Sequence, residues 1–117
     1  MPQLKILNAG AIPSFVDTVV VTETATLALP ENAYEGKTIR IINSVDQAPA
    51  ADVGDFITLT STSNINGQTK TMQLRYHNAD ADKSIAVVDA IFSGAWIVTA
   101  VNRDGSVADV NTITYAA

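Results

Sequence analysis

His77 is the only histidine among the 117 residues, and there is no cysteine. A histidine working as a general base needs a nucleophile within hydrogen-bond reach and a third group to orient it. The chain has no Gly-x-Ser-x-Gly turn to present a serine. His77 follows Tyr76 at the end of an alternating run and reads as a structural or surface residue. Just beyond it, Asn78, Asp80 and Asp82 recur at every second position, as do the first three ligands of a calcium loop. The pattern then breaks. Lys83 occupies the glycine position, and Asp89 stands where a bidentate glutamate belongs. A solvated turn is the simpler reading, and a weak calcium site is the alternative.

Other chemistry is equally thin. Paired carboxylates of a glycosidase would need a cleft with aromatic sugar platforms. The chain offers one tryptophan and three tyrosines. Trp96 sits in an apolar run and is expected in the core. Gly54, Gly67 and Gly105 are isolated turn markers, and none belongs to a phosphate-cradling loop. No catalytic residue, metal ligand or cofactor is assigned, and an enzyme is not expected.

The elements that would have to position any site are strands. Short β-branched runs separated by turn residues dominate the sequence. They fall at 4–7, 18–22, 26–29, 37–43, 56–60, 69–76, 84–88 (running on through 91–92), 96–101 and 110–115. In the clearest of them, Ile39 and Ile41 take one face while Thr38, Arg40 and Ile42 take the other. Met72, Leu74 and Tyr76 share a face, and Ile85 and Val87 are expected inward. Asn66-Gly67 is the pair best suited to a tight hairpin, and 102–105 is a second strong turn. Pro49 splits the alanine-rich stretch 45–53 and argues against a helix there. The prediction is an all-β fold, an antiparallel β-sandwich or small barrel of about eight strands. It forms one domain over 17–117, preceded by residues 1–16.

The formal net charge of −5 comes from scattered carboxylates, and the seven basic residues are equally dispersed. No basic footprint offers itself to nucleic acid. No stretch approaches the roughly 20 apolar residues of a membrane span, and the first ten residues do not form a signal peptide. The abundance of threonine and serine suits strands whose outer faces carry hydroxyls in place of charges.

Residues 1–16 allow two readings. Leu4, Ile6, Leu7, Ile12 and Phe15 make the segment moderately apolar, and Gly10 and Pro13 interrupt it. It is either an arm that adds a strand to a neighbour's sheet edge, which makes those five residues tentative protein-binding positions, or the first strand of the domain's own sheet. The loops 44–55 and 61–68 are further candidates, because loops carry function.

Two stretches then look familiar together: 34–43, YEGKTIRIIN, and 84–99, SIAVVDAIFSGAWIVT. A glycine leads into an alternating isoleucine strand ending in Asn43, and later come a strand, a short turn and a tryptophan strand. The pattern resembles the small β-sandwich modules of tailed-phage virion proteins, namely head decoration (cement) proteins, head fibres and tail-fibre domains. It covers roughly residues 34–101. A chain that is one domain beginning at Met1 resembles a decoration protein more than a fibre. The resemblance implies a non-enzymatic structural protein on the phage head surface, made in the host cytoplasm. It further implies the major capsid protein as partner and a homo-oligomer, a trimer by preference. The alternative within it is a receptor- or glycan-binding knob using Tyr34, Tyr76 or Trp96.

Overall fold

The computed structural model describes residues 4–31, 33–45, 54–77, 80–109 and 112–116. Among the described residues there are ten strands: β1 (Leu4–Ile6), β2 (Gly10–Ala11), β3 (Thr18–Val21), β4 (Ala25–Ala28), β5 (Thr38–Asn43), β6 (Asp55–Ile65), β7 (Thr69–Arg75), β8 (Ile85–Phe92), β9 (Trp96–Asn102) and β10 (Ile113–Ala116). The fold is all-β. A 3-10 turn, Ala81–Lys83, precedes β8, and among the described residues no helix is long and apolar enough to cross a membrane.

The hydrogen-bonded order runs β1-β3-β5-β8-β9-β6-β4-β2, with β7 pairing β6 and β10 pairing β7. β9 and β6 meet at a single parallel pair, Ile65 with Trp96. The sheet therefore curls at that corner into two facing halves. The first half holds β1, β3, β5, β8 and β9, and the second holds β2, β4, β6, β7 and β10.

Antiparallel pairing holds for β5–β8, β8–β9, β6–β7 and β7–β10. The pairs β1–β3, β3–β5, β2–β4 and β4–β6 are parallel. The cause is the route of the chain. Up to β6 it crosses to the other half after every strand, so it re-enters each half in the same direction.

Alternation drives the two halves together. Val19, Ile41, Val88 and Ala100 form one inward row of the first half, linked strand to strand. Leu27, Leu59 and Met72 form one of the second. All seven are buried in one continuous core. Trp96, 1% exposed, fills the corner with Phe92 edge-on at 5.2 Å, the core position expected of it.

The Asn66-Gly67 turn forms as predicted, with φ of 54° and 72°, both in the region a tight hairpin requires. The segment 61–65, expected as loop, instead continues β6. The 102–105 turn also forms, closed by the Gly105 amide on the Asn102 carbonyl. It leads to one bridge, Val101 with Val107, and the last strand pairs with β7. Most of the loop 44–55, with Pro49, lies outside the described residues.

One inward assignment is corrected. Ile85 is buried, but Val87 points out and is half-buried. The register slips between these two residues. A bulge adds one residue to one strand and reverses the facing of every residue beyond it. Strict alternation from Ile85 cannot foresee it.

Candidate protein-binding face

The two outer faces differ in chemistry. On the second half, cross-strand neighbours give the rows Thr26–Thr58–Gln73–Thr114 and Ala11–Ala28–Thr60–Thr71–Ala116. This is the hydroxyl-covered face that the composition predicts. Thr114 donates to Gln73 Oε1 at 3.0 Å, which pairs two of these side chains with each other.

The first half is different. The register places Ile6 beside Val20, Val20 beside Ile42, Ile42 beside Val87, Val87 beside Val101 and Val101 beside Val107. Six aliphatic β-branched side chains thus line up across the whole of this half-sheet. At about 4.8 Å between neighbours the row is about 24 Å long. Its ends are the most open, with Ile6 62% and Val107 76% exposed.

Alongside runs a polar row of Thr18, Arg40, Asp89 and Thr99. Arg40 donates to Asp89 through Nε at 2.9 Å and through its second guanidinium nitrogen at 3.3 Å. That pairing raises the Arg40 pKa further above its already high ordinary value, first through the hydrogen bond and then through charge. A third row sets Thr38 beside Ile91, and Ile91 beside Ile97.

Seven large hydrophobic side chains stand exposed among the described residues, and five of them lie on this face. Tyr34 borders it, beside an open depression of about 470 Å³ that also reaches Thr38, Arg40 and Asp89. Phe15 alone stands apart, in the turn before β3. Single exposed apolar residues are ordinary on a monomer, but a continuous apolar band marks an interaction surface.

Of the N-terminal candidates whose side chains are described, Ile6 is the one that joins this band. β1 and β2 pair with the chain's own β3 and β4 as outermost strands. Ile12 is buried in the core, Leu7 packs partly against it, and Phe15 is exposed elsewhere. Leu4 stands opposite Thr18 at the sheet margin, and its side chain lies outside the described residues. Val20, Ile42, Val87, Val101 and Val107 escaped the sequence reading as binding residues. The available signal was the outward place of Ile42 on an otherwise polar strand face.

His77, Asp80 and Asp82 take part in turn architecture. His77 Nδ1 accepts the Asp80 amide at 2.9 Å, and the His77 amide donates to Ser84 Oγ at 3.1 Å. Asp80 caps the 3-10 turn by accepting the Asp82 amide at 3.1 Å. Asp89 lies on β8 against Arg40, and Asn78 falls outside the described residues. Among the described residues no three histidine or carboxylate groups converge as a metal site would require. For a glycan platform, Trp96 is buried and Tyr76 is half-buried, edge-on to Phe56 at 5.6 Å. Of the three aromatics considered, Tyr34 is exposed.

No family model matches the chain, and no curated protein shows significant similarity to it.

Proposed function

We propose that this protein is a non-enzymatic structural module that works by laying the outer face of its first half-sheet against another protein surface. The observation that carries this is the aliphatic row from Ile6 to Val107, which crosses every strand of that face. Burying such a band contributes about 25 cal/mol per Å² of apolar area, with few polar groups left to satisfy.

The narrower form of the proposal builds on the resemblance of residues 34–101 to phage β-sandwich modules. In that form the protein is a capsid decoration protein that binds and braces the head lattice. Fold likeness alone is analogy, so binding is the decisive test. Purified protein mixed with undecorated phage heads should bind them, and imaging should show added density at regular lattice positions. Val87→Asp should abolish that binding while leaving the fold intact. Heads that stay bare with the parent protein sink the capsid form.

The exposed Tyr34 beside the Arg40–Asp89 pair favours a second reading, a glycan-binding knob. Binding on a glycan array that is lost in Tyr34→Ala would select it over the first.

A further inference from the structure

The inference here rests on the docking reading above and names the partner. We propose that the outer face of the first half-sheet is covered by a second copy of this chain, related by a twofold axis along the strands between β5 and β8.

The layout of the face is palindromic about that line. Moving outward on one side, the aliphatic row presents Ile42, Val20 and Ile6. On the other side it presents Val87, Val101 and Val107. In the neighbouring row Arg40 and Thr18 stand on one side, Asp89 and Thr99 on the other. A half-turn about the line sets each residue over its counterpart. Ile42 meets Val87 of the second copy, Val20 meets Val101, and Thr18 meets Thr99. Arg40 comes over Asp89 of the second copy, and Asp89 over its Arg40. An isologous contact requires this kind of self-complementarity.

Charge supports the same occupant. The chain carries −5, so two copies repel in general. Across the two palindromic rows the charged residues are one arginine and one aspartate, which cancel. The face itself is therefore locally neutral, and the half-turn brings each Arg40 beside the Asp89 of the other copy. The third row breaks the symmetry, with Thr38 against Ile91. Twisted sheets pack aligned at about −30°, so the central Ile42, Val87, Arg40 and Asp89 stay closest to register and the ends diverge. We expect a dimer that forms in the micromolar range. An isologous contact about a twofold axis closes at two copies, in contrast to the trimer that the phage resemblance implies.

Sedimentation of the full chain from about 5 to about 500 µM, a range bracketing that affinity, tests the proposal. The parent protein should pass from monomer to dimer. Arg40→Asp places like charges over one another in the homodimer, and so does Asp89→Arg. Each variant alone should self-associate at least about tenfold more weakly. Mixed in equal amounts, the two should form a heterodimer, because every crossed pair is again unlike. The pair is surface-exposed, so both variants should keep their fold, checked by thermal melting.

A parent chain that is monomeric throughout, or that forms a trimer indifferent to either reversal, overturns the proposal. So do single variants that dimerise like the parent. A monomer whose head binding is lost in Val87→Asp overturns the second copy and keeps the docking reading. A monomer whose head binding ignores Val87→Asp overturns both.

Discussion

Asn66 is hydrogen-bonded to the backbone of Val98 on both sides of its amide. Its Nδ2 donates to the Val98 carbonyl at 2.9 Å, and its Oδ1 accepts the Val98 amide at 2.7 Å. The Asn66 amide also donates to the Trp96 carbonyl at 3.0 Å. The side chain thus extends the single β6–β9 backbone pair by imitating one more strand residue, at the corner where the two halves join. Asn66→Gly keeps the positive φ and removes these side-chain bonds. We expect it to lower unfolding free energy by about 2–4 kcal/mol, for three part-buried side-chain hydrogen bonds lost, two to Val98 and one to the Tyr115 hydroxyl, with their partners left in place. Asn66→Asp retains the acceptor for the Val98 amide but turns its second oxygen toward the Val98 carbonyl, so it should be destabilised as well. Urea unfolding measures both, and a loss under about 0.5 kcal/mol in the glycine variant would deny the clamp.

Lys37 is 3% exposed, and its ammonium lies 2.7 Å from Asp17 Oδ1 and 6.0 Å from the centre of the Tyr34 ring. The Asp17 side chain is 40% exposed, so water can partly take its place. Asp17→Ala should therefore cost about 2 kcal/mol, below the value for breaking a fully buried pair. Lys37→Met removes the buried charge with its need for a partner, and should be nearer neutral. Chemical denaturation of the two variants checks the order. A methionine variant less stable than the alanine variant reverses the argument.

Asp104 accepts from both the hydroxyl and the amide of Ser106. These bonds favour the charged carboxylate and lower its pKa from the ordinary value, the hydroxyl contributing most. A depressed folded-state pKa means that the group stabilises the fold above its unfolded pKa. That contribution is lost as pH falls through the folded pKa. Carboxyl NMR titration should place Asp104 below an ordinary aspartate. Ser106→Ala should move it up, and an unchanged midpoint would refute the cause.

Adjacent positions on β8 should respond in opposite ways. Val88 is fully buried and Val87 faces out. Val88→Asp places an unpaired charge in the core and should prevent folding. Val87→Asp should cost less than about 1 kcal/mol and remove the protein's binding to its partner surface. Circular dichroism melts of both variants test the bulge, and the reverse order would restore the register that alternation predicts.

The two-residue rhythm of Ile, Val and Thr, set between Asn-Gly and Gly turns, determines by itself that this chain is all-β, because alternation is local and burial needs one apolar face per strand. It also fixes the inward faces of β5 and β7 and the Asn66-Gly67 hairpin, whose backbone angles few other residue pairs accept. The tertiary structure alone decided which strands are neighbours, since parallel pairing depends on a chain route that no local pattern records. It also turned Val87 outward, because the bulge shows only against β9. Val20, Ile42 and Val101 are ordinary strand residues in sequence. They become one surface only where register sets them side by side.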